Sequence, residues 1–334
     1  MPQATLVTVD EDYAGQRLDN FLIRQLKGVP KTHVYRIIRS GEVRVNKGRA
    51  HADTRVEAGD IVRLPPVRTS ERAEQKAQVM QSVMTEVARH GASSTVGGYA
   101  PAAEFPILFE DDFLLAIDKP AGVAVHGGSG VSSGVIEQLR RARLNQAEGA
   151  RFLELVHRLD RETSGVLLLA KRRSALTALQ EQFRARDTGK VYAALVFGAW
   201  PTQLKVIDLA LLKTHDAAGE RHVRVVSPAH EGALRSITLV KVIRPWTDCS
   251  LLDVTIKTGR THQIRVHLAH SGHPVVGDPK YGQFAQNKAF ARERHFSRMF
   301  LHARQLAFDH PASGERITLA APLPAECETL LRTP

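Results

Sequence analysis

The chain has 334 residues, 43% of them hydrophobic, and 46 Lys and Arg against 35 Asp and Glu, a formal net charge of +11. At roughly 150 residues per domain this suggests two domains, each able to bury a core. A membrane span is excluded, because a spanning helix needs about 20 mainly apolar residues and the aliphatic runs, such as Val166 to Ala170, are far shorter. The two cysteines, Cys249 and Cys327, form neither a disulfide framework nor a C-x-x-C metal spacing. The opening residues lack a basic stretch followed by an apolar one, so a cytoplasmic protein without a secretory signal is expected. So large a positive excess implies an anionic partner, with nucleic acid ahead of an anionic membrane surface.

Basic residues cluster early. Between Arg17 and Arg49 there are nine (Arg17, Arg24, Lys27, Lys31, Arg36, Arg39, Arg44, Lys47, Arg49) against Asp19 and Glu42. Leu18, Phe21, Leu22 and Leu26 recur at helical spacing, and Val34, Ile37 and Ile38 do so again after Gly28 and Pro30, which predicts two short amphipathic helices joined by a tight turn. Val43 and Val45 alternate with polar neighbours as in a half-buried strand. Asn46-Lys47-Gly48 has turn chemistry, and Ile61 to Leu64 reads as a further strand stopped by Pro65-Pro66. A charge run alone would be a solvated face. The segment RLDNFLIRQLKGVPKTHVYRIIRSGEVRVNKGR with AGDIVRLPP, however, resembles the S4-type RNA-binding domain over about residues 10 to 68. That resemblance implies a basic face on RNA phosphates, with Arg17, Lys31, Arg36, Arg39, Arg44 and Lys47 as contacts, which adds salt-dependent affinity without reading sequence.

Residues 69–90 are polar with scattered Val and Met, as in an exposed helix, and 91–106 are rich in Gly, Ala, Ser and Pro. A flexible linker is expected over 69–105. Residues 107–109 and 113–117 then read as short strands, and a helix is predicted to begin near Gly134. The Gly/Ser-rich run from Gly127 to Gly134 lacks the G-x-x-x-x-G-K-[ST] order and reads as a mobile loop over a cleft.

In Leu153 to Arg172, LELVHRLDRETSGVLLLAKR, apolar flanks bracket a polar insert ahead of a buried-looking strand at Val166 to Ala170. A surface turn stitched by ion pairs is the bland reading. The sharper one is that Asp160, between Arg158 and Arg161, stays ionised beside positive charge and can serve as a nucleophile. From Thr258 to Gly282, TGRTHQIRVHLAHSGHPVVGDPKYG presents His262, His267, His270 and His273. They match no H-E-x-x-H spacing, so no metal is expected and these histidines contact RNA or pack. No G-x-S-x-G elbow occurs and Ser164 has no indicated base partner, which speaks against a serine hydrolase.

HRLDRETSG, preceded by DKPAGVAVHGG and followed by KVYAALVFG, TGRTHQIRVH and LHARQLAFDHP, resembles the RluA family of pseudouridine synthases over about residues 106 to 324. Within that family, VDEDYAGQRLDNFL with QLKGVP, and HGGSG ahead of FLELVHRLD, are most similar to the C-type branch, which modifies several uridines of 23S rRNA. The D-type branch, with other 23S rRNA targets, is the alternative. The resemblance implies an α+β protein: an S4-type module at 1–68, a linker at 69–105, and a catalytic domain at 106–334. That domain is expected to have a mixed, largely antiparallel sheet flanked by helices.

The family chemistry is isomerisation of a flipped-out uridine, here in 23S rRNA or the assembling large subunit, with no organic cofactor and no metal; nothing in the sequence suggests an obligate oligomer, and a monomer is expected. Asp160 corresponds to the essential aspartate, which acts on the ribose anomeric carbon or on carbon 6 of the base. Arg265, in HQIR, corresponds to the basic residue that orients it. Tyr192, in KVYAALV, corresponds to the tyrosine that stacks on the target base and is a candidate for proton transfer. Arg158 corresponds to an arginine that enters the RNA stack, and Arg161, Arg260, Thr261 and His262 to the RNA-facing wall. Glu162 departs from the family's usual Asp, and the linker is longer than usual. A non-catalytic ribosome-assembly factor and a metal-dependent hydrolase are the readings from other classes.

Overall fold

The structure, a computed structural model, describes residues 4–10, 13–26, 29–66, 105–127, 133–143, 152–215 and 221–332. The expected helix at 69–90, all but the end of the 91–106 stretch and the glycine loop at 128–132 lie outside these residues. The chain divides into two compact units, Met1–Pro101 and Ala102–Pro334.

The first unit runs β1 (Thr5–Thr8), β2 (Gln16–Arg17), α1 (Leu18–Gln25), α2 (Lys31–Arg39), β3 (Arg44–Val45), β4 (Gly48–Arg49), β5 (Arg55–Val56) and β6 (Ile61–Leu64). Leu18, Phe21 and Leu22 of α1 and Val34, Ile37 and Ile38 of α2 face one core with Val43, Val56 and Val62. Helical periodicity therefore places one stripe of each helix inside and leaves the cations outside. The sheet order is β1-β6-β3-β4, with β2 and β5 paired separately. The β3–β4 hairpin turns on Asn46 (φ 49°) and Lys47 (φ 69°), both left-handed as a two-residue type I′ connection requires. Asn46 also accepts from Ile61 N–H at 2.9 Å and donates to Asp60 at 2.7 Å, which fixes the turn against β6.

The second unit runs β7 (Ile107–Glu110), β8 (Leu114–Lys119), α3 (Val135–Arg143), β9 (Glu154–Leu155), β10 (Ser164–Ala170), α4 (Arg173–Ala185), β11 (Gly189–Phe197), β12 (Val206–His215), β13 (Arg221–Val226), β14 (Leu234–Pro245), β15 (Cys249–Ile256), α5 (Gln263–His270), α6 (Phe284–Arg294), β16 (Leu301–Asp309), β17 (Arg316–Ala320) and α7 (Ala325–Arg332). Eleven strands form one sheet, in the order β13-β12-β14-β15-β11-β16-β10-β8-β7, with β17 on β16 and β9 on β10. Of its pairings only β10–β16 is parallel, through Ser164↔His302 and Gly165↔Ala303. The mixed, largely antiparallel sheet flanked by helices is thus the observed architecture.

Every residue of β10 is buried. Val166, Leu168 and Ala170 pack on one face with Leu176 and Leu179 of α4, while Leu167 and Leu169 pack on the other with Ile136 and Leu139 of α3. Burial on both faces is why this strand reads as an unbroken apolar run instead of an alternating one. Each of these valine, leucine and isoleucine side chains contributes about 1.5–3 kcal/mol. Phe105, at the end of the predicted linker, is already packed into the second of these cores. No described helix is long and apolar enough to cross a membrane.

Ser164 has a base beside it, contrary to the sequence reading. Its Oγ lies 2.9 Å from His302 Nδ1 and accepts from Arg298 Nη2 at 2.7 Å, while His302 Nε2 faces the Ala321 carbonyl at 3.2 Å. The partner comes from β16, 138 residues away. With Ser164 1% and His302 0% exposed, the pair is sealed inside the sheet and serves packing.

Candidate active site

A cleft of about 1280 Å³ opens beside the sheet, and Arg158, Asp160, Arg161, Tyr192, Arg260, Thr261, His262 and Arg265 all line it. Asp160 sits in the connection between β9 and β10. Its carbonyl accepts from Thr163 N–H at 3.1 Å, closing a turn, and the next carbonyl, that of Arg161, accepts from Gly122 N–H at 2.9 Å. Lys119 braces the same point from the end of β8. Its fully buried ammonium donates to the carbonyls of Pro120, Val123 and Arg161 at 2.7, 2.8 and 3.1 Å, one acceptor per N–H, although burial pulls its pKa down to about 7. Gly165 (φ +109°) then enters β10 so close to β16 that a Cβ would lie 2.3 Å from the Ala303 carbonyl oxygen. Only glycine permits that approach.

Arg265 projects from α5. Nη1 donates to Asp160 Oδ2 at 3.0 Å, while Nε and Nη2 both donate to Asp278 at 2.8 Å. Burial works against the guanidinium charge, but the hydrogen bonds and charge of Asp278, joined by Asp160, outweigh it and raise its pKa above the ordinary arginine value. Asp278 is likewise opposed by burial and held below the usual carboxylate range by Arg265 and the Lys280 and Tyr281 N–H groups. The fork geometry of a guanidinium suits this double engagement, which a lysine could not reproduce. Asp160 lines the cleft with 28% of its side chain exposed, and Arg265 engages its Oδ2, not its Oδ1.

The loop before α5 is fixed by Gln263, 3% exposed. Its Oε1 accepts from Thr258 Oγ1 at 2.8 Å and Arg260 N–H at 3.1 Å, and its Nε2 donates to the Ile237 carbonyl and Thr238 Oγ1, each at 3.0 Å. His262 caps the helix in a left-handed conformation. Its Nδ1 faces the Tyr281 hydroxyl at 2.7 Å, and that hydroxyl accepts from Val223 N–H at 3.1 Å. The tyrosine can therefore donate to Nδ1, which leaves Nε2–H directed to Asp160 Oδ1, 3.8 Å away. Burial lowers the His262 pKa against the opposing pull of Asp160, which favours the neutral ring.

Tyr192, on β11, packs against the apolar clusters on both sides of it. Burial and, after it, the charge of Asp160 push its phenol far above the ordinary value, so it stays protonated. Arg158 is exposed on the cleft wall. Arg161 donates to Glu162 at 2.7 Å, so the residue that departs from the family pattern binds a neighbouring arginine. Arg260 lines the cleft, and its Nε–H is buried without a hydrogen-bond acceptor among the described residues. Of the other histidines, His267 is fully buried with Nδ1 2.9 Å from Thr238 Oγ1, His273 Nδ1 lies 2.8 Å from the Phe197 carbonyl, and His270 is exposed. Among the described residues no three His, Cys, Asp or Glu side chains converge as a metal site would.

In the first unit, Arg17 donates through Nε and Nη2 to Asp19 at 3.2 and 2.8 Å, and Arg44 donates to the Gly41 carbonyl at 2.9 Å. Arg36 has only a 3.5 Å approach to His33. Lys31, Arg39 and Lys47 are exposed. Sequence reasoning missed Asp278, Tyr281, Gln263 and Lys119. VVGDPKYG stood out as a motif, but nothing in its spacing indicated that its aspartate grips Arg265.

The sequence model of the RNA pseudouridylate synthase family matches residues 113–270, and that of the S4 domain residues 16–62. With the near-full-length relatives below, these matches mean that the chain belongs to the RNA pseudouridylate synthase family and carries that family's enzyme domain behind an S4 domain. Ribosomal large subunit pseudouridine synthase C of Yersinia pestis is 48% identical over 324 residues, covering 96% of this chain and 93% of that protein. The protein of the same name from Escherichia coli K12 is 47% identical over 323 residues, covering 96% and 94%. Among solved structures, human RNA pseudouridylate synthase domain containing 4 superposes with a TM-score of 0.55 at 26% identity, over 77% of this chain and 96% of that one.

Proposed function

We propose that the protein converts uridines of 23S rRNA in the large ribosomal subunit to pseudouridine, with Asp160 as the nucleophile. The observation that carries this reading is the Arg265 bridge, which holds the Asp160 carboxylate at a cleft wide enough for a nucleotide. The reaction breaks the bond between ribose C1′ and uracil N1, turns the base, and joins C1′ to C5. The proton on C5 is lost and N1 gains one, so nothing is consumed.

Because Oδ2 is occupied by Arg265, Oδ1 is the attacking atom, at C1′ or at C6 of the base. Fixing the carboxylate in advance removes orientational cost from the step. Tyr192 stacks on the flipped uracil, and its neutral phenol adds no second negative charge beside Asp160. Extrusion of the base costs a few kcal/mol, offset by that stacking and by Arg158 filling the vacated position. Arg161, Arg260 and His262 contact the flanking backbone, and the S4 unit adds phosphate contacts through Arg17, Lys31, Arg36, Arg39, Arg44 and Lys47. We infer that it works as a monomer in the cytoplasm, where such a substrate resides.

The test is tritium release from rRNA labelled at uridine C5. Asp160→Asn is expected to abolish release while rRNA affinity stays within about threefold of wild type, since one neutral amide replaces one carboxylate without changing the cation count. Retained turnover would remove Asp160 from the mechanism. Mapping pseudouridines on rRNA from cells lacking the protein separates C-type from D-type targets.

A further inference from the structure

Helix α6 takes no part in the chemistry above, yet it begins with Phe284, whose 82% exposure is the highest of any large apolar side chain described. No other phenylalanine of the chain is exposed. A single exposed apolar residue needs no explanation by itself. Phe284, however, shares a stripe with Lys288 and Arg292, four and eight residues on, which one face of a helix presents together. Among the described residues, Lys288 is exposed and makes no ion pair, and Arg292 has only a 3.4 Å contact with its neighbour Glu293. Cation and aromatic are thus both available to a ligand.

The helix is also fixed relative to the active pair. Asn287 donates through Nδ2 to the Asp278 carbonyl at 2.9 Å and accepts from Gly277 N–H at 3.0 Å. Gly282 N–H reaches the same carbonyl at 3.2 Å. The residue so clamped is the one whose carboxylate holds Arg265. Lys280, which lines the cleft, lies four residues before Phe284, so their Cα atoms are within about 14 Å of each other.

We propose that the face formed by Phe284, Lys288 and Arg292 is a binding subsite for the substrate RNA at the rim of the cleft. An unpaired base flanking the target uridine stacks on the Phe284 ring, and the adjoining phosphates lie along the two cations. The inference rests on the rRNA reading given above. RNA fits this surface better than protein does. The chain neighbours Gln283, Ala285 and Gln286 are exposed and small or polar, so Phe284 is the one large apolar side chain this helix exposes, whereas a stable protein interface buries about 800 Å² per partner. An isolated aromatic among cations is the composition of a single-strand stacking platform.

The experiment measures KM for tritium release on an rRNA fragment, together with equilibrium affinity for the same fragment on an Asp160→Asn background. Phe284→Ala is expected to raise KM and Kd about tenfold, the order of one lost base stack, with the effect on KM exceeding that on kcat. Phe284→Trp should restore both to within about twofold, and Phe284→Leu, apolar but without a ring, should behave like Ala. Lys288→Gln with Arg292→Gln should flatten the dependence of log Kd on log salt by about 1.4, at about 0.7 per single-strand phosphate contact. Ile243→Ala, exposed on β14, serves as the surface control.

A Phe284→Ala enzyme within twofold of wild type, or full rescue by Leu, would overturn the subsite. So would an unchanged KM accompanied by loss of a dimer in sedimentation, which would assign the face to a second copy. If the wild-type protein releases no tritium from large-subunit rRNA, the functional reading fails instead, and the binding arm still decides the subsite.

Discussion

The S4 unit and the catalytic cleft use positive charge in opposite ways. Lys31, Arg39 and Lys47 project into solvent, whereas Arg265 has 6% of its side chain exposed and engages two carboxylates through three nitrogens. Exposed cations attract a polyanion over a distance, but salt screens them and their side chains stay free to rotate. A buried guanidinium clamped by Asp278 has one geometry, and the strength of its interactions depends little on salt. On the proposed function one region supplies affinity and the other supplies position, and net charge alone does not distinguish them.

The comparison breaks most sharply at Arg265. Arg265→Met leaves Asp278 buried and unpaired, a loss of about 3–5 kcal/mol in stability, and it releases Asp160, so denaturation midpoint and tritium release should both collapse. Asp278→Asn keeps the arginine but loosens its grip. A fall in kcat of about 10- to 100-fold with Kd for rRNA little changed is expected, comparable to losing an orienting partner at other sites. An equal rise in Kd would instead make Asp278 a binding group.

The pH dependence of stability should come from the interior of the catalytic domain. Burial holds His267 and His302, both fully buried, at a pKa of about 4 in place of 6.5. The unfolded chain therefore binds more protons between these values, and stability falls as pH drops from about 6.5 to 4. The loss is about 3 kcal/mol per residue at the lower end. Urea midpoints across that range measure it, and His302→Asn should flatten the curve. The smallest effect belongs to the S4 unit. Lys31→Gln, Arg39→Gln and Lys47→Gln together should weaken rRNA binding and lower its salt slope by about 2–3 while leaving kcat as it was.

The helices α1 and α2 were legible because a 3.6-residue period needs only local sequence, and β10 because a strand buried on both faces is apolar throughout. Motifs singled out Asp160, Tyr192 and Arg265, and the structure brings all three to one cleft. Asp278 was not. Its pairing runs through a turn at a separation of 13 residues and leaves no periodic trace. The Ser164–His302 contact spans 138 residues and exists only because β10 and β16 lie side by side. Phe284 carries no signal until its exposure is known, since an aromatic opening a helix ordinarily enters a core.

The parallel β10–β16 pairing joins two antiparallel blocks through only two residue pairs, against six between β8 and β10 and seven between β11 and β15. Asp160 belongs to the block on the β10 side and Arg265, carried by α5 after β15, to the other. Their hydrogen bond is therefore a clasp across the narrowest waist of the sheet, bolted from within by the chain Arg298–Ser164–His302. A methyl group added at Gly165 would act as a wedge in that waist, separating the Asp160 carboxylate from the Arg265 guanidinium without touching either one.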